Sequence, residues 1–211
     1  MIQNADSPGG GGGRGGEMAW GKIQKVFLTL KERFGEKVEK WAFLSYFGGM
    51  PYVLPAQTQI GHVHLKVADL ERSLAFYRDI LGFEVTARYG EEAVFISAGG
   101  YHHHIGLNTW YSKGAPPAPV RSAGLFHTAI LFPTRKDLAV ALKRLLDAGY
   151  PLTGASDHGV SEALYLDDPD RNGVELYRDR PREEWKHNHD GTVEMYTRGL
   201  DIDDLLAELS R

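Results

Sequence analysis

One order of elements occurs twice in this chain of 211 residues, and that repetition limits the fold more than any other feature. The first copy opens on Gly61-His62-Val63-His64-Leu65-Lys66-Val67, where polar and apolar residues alternate with the two-residue period of a strand. Asp69 stands where a helix N-cap would stand, and Leu70, Ser73, Leu74, Phe76, Tyr77, Ile80 and Leu81 follow at helical spacing up to Gly82. Three strand candidates come next, at 84–89, 93–97 and 101–110, separated by glycine or charged turns. After a Pro/Ala-rich loop at 114–121 the order returns: a strand over 124–132, a helix over 135–148 closed by Gly149, and strands at 150–153, 161–167 and 173–179. The offset from His62 to His127 is 65 residues, and that from Gly106 to Glu175 is 69. Self-similarity at so steady an offset predicts two copies of one β-α-β-β-β unit.

The rest of the chain divides around this pair. Residues 1–17 are a low-complexity, Gly-rich tail. Residues 18–58 hold an amphipathic helix, with Trp20, Ile23, Phe27, Leu30 and Phe34 on its apolar stripe, and a linker. The domain itself spans 59–180, with units at 59–113 and 123–180, and 181–211 forms an extension ending in a short helix over 201–209. A formal net charge of −4 gives no reason to expect nucleic acid or an anionic membrane as partner. The absence of cysteine removes disulfides, zinc-thiolate sites and thiol nucleophiles. It suits a cytoplasmic setting, as does the lack of a signal-peptide pattern or an apolar span.

The chemistry is expected where the two units face each other. If they pair into one cupped mixed sheet, an α+β architecture, their first and fourth strands bring His62, His127 and Glu175 together. Two imidazoles and a carboxylate are the facial ligand set of non-haem iron, with positions left open. A lone strand histidine is ordinarily a packed residue, but Glu175 between Val174 and Leu176 is a carboxylate facing a sheet interior, which is costly unless paired or metal-bound. On strict alternation His102, His104 and Gly106 share one side of the fourth strand and His103 the other, so His104 is expected to look into the cup.

Residues 59–180 resemble the vicinal oxygen chelate superfamily, which includes glyoxalase I, fosfomycin-modifying enzymes, bleomycin-binding proteins and extradiol dioxygenases. The segments that carry the resemblance are GHVHLKVADLERSLAFYRDILGF, GLFHTAIL and DPDRNGVELYRD. The stretches GGYHHHIGLNTW and GASDHGVSEALYLDDPDRNGVELYRDRPREEW are similar to catechol-2,3-dioxygenase-like members. The resemblance selects His62 over His64 as first ligand, with His127 and Glu175 completing the set. Glyoxalase I carries a fourth ligand, a glutamate, where this chain has Gly106, so a three-ligand site is implied.

What the resemblance implies is a metal-dependent extradiol-type ring-cleaving dioxygenase that acts on a small catecholic aromatic with dioxygen. Fe(II) is the expected metal, with Mn(II) or another divalent ion as alternative. His104 would exchange protons with the substrate, Tyr165 would bond a reacting oxygen, and His158 would contact a substrate hydroxyl. The competing expectations are a Mn-, Ni- or Zn-dependent glyoxalase-like or fosfomycin-modifying-like enzyme, and a non-catalytic binding protein of the bleomycin-resistance kind. Many catechol-2,3-dioxygenases carry four such units against two here, which leads us to expect a homodimer or higher homo-oligomer.

Overall fold

The computed structural model describes residues 52–211. The expected N-terminal tail and most of the expected amphipathic helix and linker lie outside the described residues. A compact unit from Ile60 to Arg211 contains both copies of the repeat.

Strand β1 is Val63–Lys66. Leu65 and the following Val67 are buried, whereas His64 and Lys66 are exposed on the opposite face, so the alternation is realised. Asp69 caps helix α1, Leu70–Leu74, its carboxylate accepting from the Arg72 N–H at 2.9 Å. The helix widens into a π-helical segment, Ala75–Ile80. That extra width sets Phe76 and Tyr77 side by side in the core, ring centroids 4.8 Å apart. Strands β2 (Glu84–Tyr89), β3 (Ala93–Ser97) and β4 (Ile105–Asn108) follow. The second unit runs β5 (Thr128–Leu131), α2 (Arg135–Asp147), β6 (Gly154–Asp157), β7 (Ser161–Asp167) and β8 (Gly173–Asp179). A two-residue strand β9, Arg198–Gly199, and helix α3, Ile202–Ala207, complete the described chain.

The sheets bear out the repeat. One has the order β1-β4-β3-β2, the other β5-β8-β7-β6-β9. In each the first strand pairs parallel with the fourth, Val63 opposite Ile105 and Thr128 opposite Val174. The fold is α+β, built as two separate mixed sheets rather than one continuous sheet. The second sheet gains β9 beside β6.

Three strand boundaries differ from expectation. The strand expected at 150–153 lies instead at Gly154–Asp157. Tyr150 is engaged in the helix exit: its N–H donates to the Leu145 carbonyl, its hydroxyl to the Asp167 carbonyl, and its ring packs on Phe76. The residues that do pair, Gly-Ala-Ser-Asp, have little intrinsic strand preference. Strand β4 begins only at Ile105, and β5 only at Thr128.

Side chains from both units form one core, in which Leu65, Leu74, Phe76 and Tyr77 meet Leu138, Leu142, Leu164, Leu176 and Leu205. A polar lock reinforces it. The turn between β7 and β8 carries two buried carboxylates, 3% and 8% exposed. Asp168 accepts from the Tyr77 hydroxyl at 3.0 Å and from the Asp170 and Asn172 N–H groups at 2.8 Å. Burial pushes its pKa up, and these hydrogen bonds oppose the rise. Asp170 accepts from the Ala68 N–H at 3.2 Å and pairs with the Arg72 guanidinium. The second unit therefore satisfies the turn that joins β1 to α1 in the first.

Replacing Asp170 by Ala leaves the Ala68 N–H without its acceptor, while half-exposed Arg72 turns to water. The expected cost is about 2 kcal/mol, with about 1 kcal/mol for Tyr77→Phe. Urea unfolding should show lowered midpoints with unchanged slope for both variants.

Candidate active site

The parallel pairing of β5 with β8 sets the geometry of the candidate site. It places Ala129 opposite Glu175, and the β7–β8 pairing places Tyr165 on the other side of Glu175. Adjacent strands hold such partners on one face, so the small Ala129 side chain leaves room for Glu175. His127 stands just before β5. It can approach because residue 173 is glycine: a Cβ there would lie 2.1 Å from the Phe126 carbonyl oxygen and 3.1 Å from the His127 Cβ. No larger residue permits that approach without shifting backbone.

A continuous hydrogen-bonded chain results. His127 Nε2 lies 2.9 Å from Glu175 Oε2. Glu175 Oε1 accepts from the Tyr165 hydroxyl at 2.9 Å, and that hydroxyl is 2.7 Å from His158 Nε2. Four residues singled out from sequence, His127, Glu175, Tyr165 and His158, are thus brought together. The Tyr165 phenol is pushed up to about 12, by burial first and by the Glu175 carboxylate second.

His62 is placed elsewhere. It precedes β1 in the other sheet, and its ring lies 4.5 Å from that of His103, centroid to centroid. Among the described residues no set of three or more His, Asp or Glu side chains is close enough to hold one ion. Strand register fixes the distance between His127 and Glu175, whereas no strand pairing ties β1 to the second sheet. His127 and Glu175 stand together through that register. Those two suit a metal: ligands about 2.1 Å from an ion at a right angle stand about 3 Å apart, close to the spacing observed. The His127 Nδ1 atom is buried with no partner, which leaves Nε2 as the nitrogen turned toward Glu175.

The imidazole of His104 is engaged within its own sheet: its Nδ1 lies 2.9 Å from the Ser97 hydroxyl and accepts from the Ala98 N–H at 3.4 Å. His103 is the member of the triplet beside His62. The His104 backbone bonds to both neighbouring strands, its N–H donating to the Ile96 carbonyl at 2.9 Å and its carbonyl accepting from the Val63 N–H at 3.0 Å. His103 is held below the ordinary histidine range, by desolvation first and then by the neighbouring His102 and His62. His64 is lowered likewise, by burial and then His62.

In the first unit the His64 ring fills the space beside Gly106. His64 pairs opposite Gly106, which in turn faces Phe95. A Cβ at residue 106 would fall 2.9 Å from the His64 ring, so glycine here makes room for the imidazole as well as withholding a carboxylate. Phe95 and Trp110 flank that ring at 5.9 and 5.5 Å between centroids. One feature has no sequence signal at all: the Tyr196 carbonyl oxygen, 2.9 Å from His158 Nδ1, comes from a stretch that reads as a charged loop.

The raised Tyr165 pKa has a signed consequence. Folding favours the protonated phenol, so its stabilisation is full below pH 10 and is lost as pH rises toward 12. A tyrosinate absorbance titration, differenced against Tyr165→Phe, should show one late-ionising phenol. Glu175→Gln should move it partway back, since burial is the larger cause.

Comparison with known proteins matches this architecture. The sequence model of the Glyoxalase/Bleomycin resistance protein/Dioxygenase superfamily matches residues 59–176, more than half of the chain. A catechol-2,3-dioxygenase of Bacillus subtilis (strain 168) is 43% identical over 152 residues, which are 72% of this chain and 52% of that protein. Biphenyl-2,3-diol 1,2-dioxygenase 3 of Rhodococcus globerulus is 33% identical over 135 residues, 62% of this chain and 70% of its own. The crystal structure of a glyoxylase/bleomycin resistance protein/dioxygenase domain from Frankia sp. EAN1pec superimposes with a TM-score of 0.50 at 26% identity, covering 59% of this chain and all of that one. The chain spans about half the length of the Bacillus relative. With the duplicated unit, its two parallel first-to-fourth strand pairs and the extent of the family match, the chain belongs to the glyoxalase/bleomycin resistance protein/dioxygenase superfamily.

Proposed function

We propose that this chain is a divalent-metal-dependent extradiol-type dioxygenase that opens the ring of a small catecholic substrate with dioxygen. The observation that carries the reading is the chain His127–Glu175–Tyr165–His158, a ligand pair continuous with a proton-carrying pair. Relatives named as catechol and biphenyl-diol dioxygenases support it. Both oxygen atoms enter the product, and one ring carbon–carbon bond beside a hydroxyl is broken, so no outside reductant is consumed.

His127 and Glu175 would hold the metal, Fe(II) or alternatively Mn(II), with His62 as the ligand contributed by the first unit. When bound, the metal supplies a template that brings catechol and dioxygen together and balances their charge. Everything else falls to the protein. Tyr165 donates to Glu175 and thereby orients the carboxylate for ligation. His103, against His62, is placed to take a proton from a substrate hydroxyl and return it as the ring opens. An imidazole held somewhat below its ordinary range is neutral and basic near neutral pH. Phe95, Trp110 and the His64 ring offer a planar substrate an aromatic wall.

Oxygen uptake by protein reconstituted anaerobically with Fe(II), across a panel of catechols, tests this reading. Uptake with a yellow ring-opened product is expected, abolished in His127→Ala and Glu175→Gln. His103→Gln should lower turnover by about 10²- to 10⁴-fold, whereas His104→Gln should leave it largely intact. Stoichiometric metal binding without uptake on any catechol would overturn the assignment.

A further inference from the structure

The family match ends at residue 176, yet a segment twenty residues further on reaches back to the candidate site. Strand β9 pairs with β6, Ser156 opposite Gly199 and Asp157 opposite Arg198. This registers the preceding residues against the loop that carries His158. The contact there is reciprocal: the Tyr196 N–H donates to the His158 carbonyl at 3.3 Å, and His158 Nδ1 lies 2.9 Å from the Tyr196 carbonyl oxygen. The Thr197 hydroxyl stands 3.3 Å from the same nitrogen.

A peptide carbonyl has no hydrogen to give. The bond between Nδ1 and the Tyr196 oxygen therefore requires the proton on His158 Nδ1, and this assigns Nε2 as the atom presented to Tyr165. The opposite tautomer would set the Nδ1 lone pair against the carbonyl lone pairs. Side-chain packing fixes the carbonyl in place. The Tyr196 ring lies against Gly159, where a Cβ would fall 2.7 Å from its Cε1. Gly159 has φ of 81°, a conformation that favours glycine. The Arg198 guanidinium covers the Tyr196 ring at 4.3 Å from its centroid.

We infer that Tyr196 is a positioning residue: wedged between Gly159 and Arg198, it holds His158 with Nδ1 protonated and Nε2 aimed at the Tyr165 hydroxyl, whose one hydrogen is shared between Nε2 and Glu175. The inference deepens the proposed function, since it concerns the proton-carrying end of the same site, but its test needs neither metal nor turnover.

The test is nitrogen NMR of the metal-free full-length chain labelled at histidine, with His158 assigned by loss of its signals in His158→Gln. A protonated Nδ1 with slow solvent exchange is expected in the parent protein. Tyr196→Phe, which keeps the ring, should leave exchange within about twofold. Tyr196→Ala should speed it at least tenfold and move the two nitrogen shifts toward a mixture of tautomers, with the amide spectrum of β7 and β8 unchanged. A parent protein protonated at Nε2 alone, or Tyr196→Ala with unaltered shifts and exchange, would overturn the inference. The expected pattern in a protein that opens no catechol would remove the proposed function and leave the role of Tyr196 standing.

Discussion

The candidate site depends first on one strand pairing, the parallel ladder between β5 and β8. Through it a residue at the start of the second unit meets one 48 positions later, His127 beside Glu175. Parallel pairs need a long crossover, and here that crossover is the rest of the unit, with α2 covering the sheet. The helix, the two intervening strands and the buried Asp168 turn all serve to bring β8 back beside β5. Gly173 then permits the last approach, which no other side chain would allow.

The two copies of the unit have divided large and small residues in opposite ways. Across the first sheet one row reads His64, Gly106, Phe95; across the second the equivalent row reads Ala129, Glu175, Tyr165. Each row gives its space to a different strand. In the first copy the bulk sits on the opening strand and the closing strand is bare; in the second the reverse holds. Only the second row carries a carboxylate and a hydroxyl, while the first carries aromatic surface.

Much of this was legible in the residues. The duplication, the cap at Asp69, the two helices and the long strands β7 and β8 follow from periodicity and punctuation, because each rests on local preference and burial together. Glu175 stood out because a charge between two core residues needs a partner. Tyr165 and His158 came from resemblance, and the chain that joins them to Glu175 appears only in three dimensions. His104 came from alternation, and its backbone joins the ladder on both sides, its N–H donating to the Ile96 carbonyl and its carbonyl accepting from the Val63 N–H, while its imidazole is engaged by Ser97 and Ala98. The approach of His62 rests on something that symmetry does not supply. Symmetry of a repeat fixes equivalence within each sheet, but the distance between sheets is a matter of packing.

The acceptor that sets the His158 tautomer is a main-chain oxygen, and this has an evolutionary consequence. Every amino acid brings that atom, so no substitution at position 196 can delete it; a substitution can only loosen its placement. Mutational drift would then act on this control gradually, through the fit of a ring against a bare stretch of backbone, instead of switching it off in one step. Functional machinery of that kind leaves almost no trace in the alphabet of side chains.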